Sequence, residues 1–247
     1  MMKHIRRSVT TAIIGSALLL TPSVAMAAPV EPAGTENVDS YISQLVEMNP
    51  GVSYGEFEDA IASEAIKSGR SELDVAKKAL DELNAALAES GAATRLGANA
   101  DRNPGKANQA GDVFYSPTSS LDVTHGHSGI YSTTTMVVEA PGPGQNSANH
   151  SYTNVKVAPG SLKQSVSTTQ ANRNAAVEMA KTLTGREYNL NFLFNKTARG
   201  AMNCSQLVWV AYIDGVGIDL DDDDQSTAVF PYEIRDSKWT VTYGTVA

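Results

Sequence analysis

Between residues 38 and 90 the apolar positions return every three or four residues, the period of helices with one buried face. Val38, Tyr41, Ile42, Leu45 and Val46 share a face in the first run, which Asn49-Pro50-Gly51 interrupts. Ser53 and Glu56 have the spacing of a capping box, and Tyr54, Phe57 and Ile61 come next as an apolar stripe. Ser71 is placed to cap another helix. In it Leu73, Ala76, Leu80, Leu83 and Leu87 repeat at the same spacing until Gly91 supplies a stop signal. The pattern predicts two or three short helices packed together or against the next domain. Across residues 92–110 the periodicity vanishes and Ala, Asn, Gly and Pro dominate, as in a linker.

From Gly111 the period shortens. Residues 112–116, 127–132, 135–139 and 152–157 predict strands, rich in β-branched or aromatic side chains, with Val113 and Tyr115 alternating against Phe114 in the first. Residues 159–164 read as a short helical turn. Ala175, Ala176, Met179, Ala180 and Leu183 mark the apolar face of a helix over residues 171–183, stopped by Gly185. Residues 205–212 predict a mostly apolar, buried helix, and residues 238–243 a last strand. This succession predicts an α+β fold, with an antiparallel sheet packed with helices and a small helical segment in front.

The chain's start changes the address. Lys3, Arg6 and Arg7 precede an apolar run over residues 11–20, and Ala25-Met26-Ala27 has the small-x-small cleavage pattern. Residues 1–27 therefore predict a secretory signal, and residues 28–37 a flexible segment behind it. The apolar run is too short to span a bilayer, and no later stretch is longer, so no integral membrane segment is expected. The predicted location is extracytoplasmic, either secreted or associated with the cell wall. A net charge of −8 argues against a nucleic-acid partner, which needs a basic surface.

Cys204 is the only cysteine, so no intramolecular disulfide accounts for it. In Asn203-Cys204-Ser205-Gln206-Leu207-Val208-Trp209 it falls where a polar loop gives way to an apolar helix. Unpaired N–H groups and the helix dipole lower a thiol's pKa there. A buried structural cysteine is the competing reading, and local sequence leaves the two level.

Three histidines lie beyond the signal. His125 and His127 would point to one face of an extended chain, but no third ligand has matching spacing, so neither a metal nor another cofactor is expected. His127 opens a strand in which Gly126 and Gly129 leave room for a close neighbour. His150, among Asn and Ser residues, reads as a solvated loop histidine. Glu139 ends an apolar strand, where it either orients a histidine across the sheet or reaches water. Asp219 and Asp221 to Asp224 lack the glycine and terminal glutamate of a calcium loop and read as a solvated acidic turn, with weak calcium binding as the lesser alternative.

Four pieces taken together resemble a known family. They are Gly111-Asp112-Val113, His127-Ser128-Gly129-Ile130-Tyr131, the cysteine motif above, and Phe230-Pro231-Tyr232-Glu233-Ile234. Over residues 110–243 the chain resembles the circularly permuted branch of the NlpC-like papain-fold enzymes, the YiiX/YycO-like group. Gly185-x-x-Tyr188 and Phe192 also suit that pattern. The resemblance implies a permuted papain-like catalytic domain over residues 111–247, behind a helical region at 38–91 and the linker at 92–110. By matching position it implies Cys204 as nucleophile, His127 as base and Glu139 as the residue that orients it. Tyr188 is placed on the substrate side, and His125 there or as a rival base. The implied activity is that of a cysteine peptidase or amidase acting on cell-wall peptidoglycan peptides or another acyl-amide substrate. The permuted fold is also similar to lecithin:retinol acyltransferase-like enzymes. That likeness would favour lipid or N-acyl amide substrates, with Leu190, Phe192, Leu193 and Phe194 lining a groove unless they pack the core. A third reading is a non-catalytic binding module that keeps a relic of the site.

Overall fold

Three helices open the described chain: α1 (Val38–Met48), α2 (Tyr54–Ser68) and α3 (Glu72–Arg95). They are seen in a computed structural model that describes residues 36–49, 52–95, 100–117, 126–196, 199–223 and 226–247. The predicted signal and His125 lie outside the described residues. Each helix starts on a polar cap that satisfies an orphan N–H. Asn37 Oδ1 accepts from Ser40 N at 2.8 Å, Ser53 and Glu56 form the reciprocal box, and Ser71 Oγ accepts from Asp74 N at 3.1 Å. Gly69, at φ +69°, ends α2 in the left-handed conformation. Gly91 does not end α3, which continues to Arg95. One interior glycine costs only about 1 kcal/mol relative to alanine, and the alanines on either side of the stretch favour helix.

Among the described residues, six strands form one antiparallel sheet in the order β4-β3-β2-β1-β5-β6. They are β1 (Val113–Ser116), β2 (His127–Tyr131), β3 (Met136–Glu139), β4 (Ala148–Ser151), β5 (Leu162–Val166) and β6 (Thr240–Thr245). Two predicted elements are corrected. Residues 152–157 are not a strand: Tyr152–Asn154 is a single 3-10 turn, and the strand lies just before it. The expected turn at 159–164 gives way to β5 from Leu162. Helices α4 (Gln170–Thr182), α5 (Cys204–Val216) and α6 (Pro231–Asp236) complete the chain.

The centre of the sheet is covered on both faces, which is why every residue of β1 and β2 is buried. On one face Val113, Ile130 and Val138 pack with α4 and α5; on the other, Phe114, Tyr131 and Val137 pack with Ala107, Val155 and Val157. α5 crosses α4 closely at Gly215, where a Cβ would stand 3.2 Å from the Ala176 Cα. Buried Asp112 ties the start of β1 to β6, accepting from the Tyr243 hydroxyl at 2.8 Å and from the N–H groups of Asn108 and Gln109.

The N-terminal helices bury Ile42, Leu45, Phe57, Ile61, Val75 and Leu83 against two loops, through Leu193 and Phe194 before α5 and Ala228 and Phe230 after it. Residues 36–247 thus cluster as one compact unit. The same contacts account for Leu193 and Phe194 as core residues, while Leu190 is 39% exposed.

Candidate active site

Asn203 fixes the start of α5. Its Oδ1 accepts from Gln206 N at 2.9 Å, and its own N–H donates to Gln206 Oε1 at 3.2 Å. This capping box makes Cys204 the first helical residue, at the positive end of the dipole. The helix is buried from Cys204 to Tyr212. Its first turn is braced by the flanking loops. Ser205 Oγ donates to Val229 O at 2.7 Å, Gln206 Nε2 donates to Asn195 O at 2.7 Å, and Val229 N donates to Asn195 Oδ1 at 3.0 Å.

The sheet supplies the partners. In the β2–β3 register Ile130 faces Val138, and in the β3–β4 register Val137 faces His150. Counting along those ladders, His127 and His150 are the diagonal neighbours of Glu139 on the same face, one on each side. Both contacts are made: His127 Nε2 lies 2.5 Å from Glu139 Oε2, and His150 Nε2 lies 2.6 Å from Glu139 Oε1. Gly129 carries no side chain between Phe114 and Glu139, and the Phe114 ring meets the His127 ring edge-on at 5.4 Å between centroids.

Cys204 adjoins His127 closely enough that each shifts the other's ionisation. With Nε2 on the carboxylate, Nδ1 is the ring nitrogen left for the thiol. The structure therefore brings Cys204, His127 and Glu139 into one chain of contacts.

Charge is set by this geometry. Burial alone would push the Cys204 thiol up, but the His127 hydrogen bond and charge, with the N–H groups of Ser128 and Ser205, outweigh it and hold the thiol below its ordinary value. Burial likewise opposes a charged His127, yet Cys204 and Glu139 together raise it. Burial raises Glu139, and its two histidine partners pull it well below the usual carboxylate range. Together these directions favour a thiolate beside an imidazolium.

Cys204 is only 3% exposed, but its surroundings are polar. Tyr188 lies against it, its ionisation pushed well up by burial first and by Cys204 second. Among the described residues the Tyr188 hydroxyl, Ser128 Oγ and Asn203 Nδ2 are buried side-chain groups with no hydrogen-bond partner. All three adjoin Cys204 or His127 in sequence or space. Unsatisfied buried polar groups are uncommon, and these three gather around one thiol and one imidazole.

Two sequence expectations are corrected here. His150 is not a loop histidine; it sits on β4 with its imidazole on Glu139, its side chain 26% exposed. In the acidic run, of which Asp224 lies outside the described residues, the other aspartates are not freely solvated. Asp219 accepts from Trp209 Nε1 at 2.8 Å, Asp221 is buried against Lys196, Asp222 holds Lys238 at 2.9 Å, and Asp223 holds Lys78 at 3.2 Å. Among the described residues no group of three His, Cys, Asp or Glu side chains converges as a metal site, and no helix is long and apolar enough to cross a membrane.

No protein-family model matches the sequence. The chain is 27% identical over 226 residues to the uncharacterized protein YycO of Bacillus subtilis, a match that covers 88% of this chain and 91% of that one. Among solved structures, the metalloprotein yiiX from Escherichia coli O157:H7 aligns with a TM-score of 0.41 at 16% identity, covering 56% of this chain and 97% of that one. The likeness to YycO thus runs through most of both chains.

Proposed function

We propose that this protein is an exported thiol hydrolase of the circularly permuted papain type that cleaves amide bonds, with cell-wall peptide as its substrate class. The observation that carries the proposal is the continuous contact from Cys204 through His127 to Glu139, with the thiol at a helix start. His127 Nδ1 takes the proton of Cys204, and the thiolate attacks the carbonyl carbon. The oxyanion meets the Cys204 N–H, which its place in the first turn leaves without an intrahelical partner, and the Tyr188 hydroxyl. His127 then passes its proton to the leaving amine, and water attacks the acyl-enzyme with His127 again as base. Glu139 holds the ring throughout and stabilises its charge.

Peptide is favoured over lipid because Leu193 and Phe194, which a lipid groove would need, are packed under α1–α3. Export rests on the basic, apolar and small-residue pattern of residues 1–27. The deciding experiment is a muropeptide digest read by mass spectrometry. Cys204→Ala and His127→Ala are each expected to abolish turnover with little change in melting, and Glu139→Gln to lower it less. Full activity in the Cys204→Ala protein would end the proposal.

A further inference from the structure

Two features are not explained by a thiol, a base and one orienting acid. Glu139 places both of its oxygens on histidines. The second histidine is also the member that meets water. The His150 side chain is 26% exposed, against 4% for His127 and 3% for Glu139.

A buried carboxylate held by one donor is free to rotate about its last torsion, and its second oxygen goes unsatisfied at a cost. Two donors on opposite sides remove both problems. β4 is the edge of the sheet, paired on one side only, so the His150 ring can enter the row from outside without displacing core. Its place diagonal to Glu139, set by the Val137–His150 pair, directs Nε2 at Oε1.

We propose that His150 is a positioning residue of the reaction centre: by donating Nε2–H to Glu139 Oε1 it locks the carboxylate plane, so that Oε2 holds His127 with Nδ1 turned to Cys204. The proposal rests on Cys204 being the nucleophile. His150 touches no reacting atom; it acts through Glu139. Without it the carboxylate turns, the imidazolium loses its fixed counter-charge, and the thiolate becomes harder to form.

The single thiol gives a readout that needs no substrate. Native, intact protein is labelled with iodoacetamide across pH, and the rate is measured by mass. In the wild type, labelling is expected to persist below the ordinary thiol pKa of about 8.5. In His150→Ala the profile moves to higher pH by about one unit, which is roughly a tenfold slower reaction at pH below both midpoints. His150→Gln, whose side-chain amide can donate to the same oxygen, recovers most of the rate. A wild-type profile in His150→Ala overturns the proposal. So does a His150→Gln protein as slow as the alanine variant, which also decides the matter if His150→Ala melts too low to assay. The underlying nucleophile reading fails separately, if His127→Ala keeps the wild-type profile or if the native wild type does not label at all.

Discussion

A hydrogen atom at position 129 sets how closely Phe114 and Glu139 approach β2. A Cβ there would lie 2.6 Å from Phe114 Cε1 and 3.2 Å from Glu139 Cβ, and both residues are walls of the His127 site. Gly129→Ala must push the ring aside, an overpacking cost of about 1–3 kcal/mol, and it shifts the carboxylate. A lower urea midpoint and loss of most peptide turnover are expected; full turnover would show that the space is not needed. The sequence made this room visible, because glycine beside a strand histidine has few other uses. Cys204, His127 and Glu139 came together only through the family resemblance, because taken singly the thiol reads equally as a buried structural cysteine and the carboxylate as a strand-end charge reaching water. The sequence hid His150. Its Asn and Ser neighbours have the composition of a loop, and only the register across β3 reveals that it reaches Glu139. Ser128 was hidden for a related reason: whether its hydroxyl is satisfied depends on what faces the strand, which composition does not encode.

At the scale of elements, α3 reaches the loop behind α5 through a buried carboxylate and a lysine beside it. Glu82 accepts from the Thr227 N–H with both oxygens at 3.1 Å and from its hydroxyl at 2.5 Å, while Lys78 bridges Glu82 and Asp223. Glu82→Ala leaves that buried N–H without its acceptor, so a loss of about 1–3 kcal/mol is expected in urea unfolding. An unchanged midpoint would mean that water replaces the carboxylate. The helices were legible because caps and three-four spacing are local signals. The strands of the β2–β3 hairpin were legible through their β-branched residues. β4 was not, because a polar edge strand has no apolar face to announce it. The neighbouring residues 152–157 carry the right residue types, yet Val155 and Val157 bury themselves in the core from outside the sheet. β5 was masked by Pro159-Gly160 at its entry and by Lys163 and Gln164 within it.

For the molecule as a whole, the buried charges predict a stability that favours mildly acidic pH. Burial pushes Glu233 up to about 8, reinforced by Asp221 and Glu82, and Asp221 up to about 6 through burial and its Asp219 hydrogen bond. Raised acids bind protons better folded than unfolded. Their contribution is therefore present below the ordinary carboxylate range and lost as pH rises through those values. His127 is raised and Cys204 lowered by their contact, so their contributions run in opposite senses as pH rises. Glu139 has the opposite sign to the raised acids: depressed in the fold, it stabilises above its ordinary 4.5 and ceases to do so as pH falls further. The melting temperature is therefore expected to be highest near pH 4.5, where the Glu139 contribution is largely in place and the raised acids have only begun to lose theirs, and to fall as pH rises through 6 and 8. Glu233→Gln keeps an acceptor for the Phe230 N–H, so it is expected to melt a few degrees above wild type at alkaline pH and close to it at acid pH. The same slope in both proteins would clear Glu233 of the effect. The shared core of α1–α3 and the loops around α5 also bears on protein engineering. A chimera carrying only residues 111–247 would inherit Leu193, Phe194, Ala228 and Phe230 but leave their covering helices behind. The graft would present a greasy, unsupported underside beneath the turn that aims the sulfur, so the centre cannot be moved as a cassette without its N-terminal third.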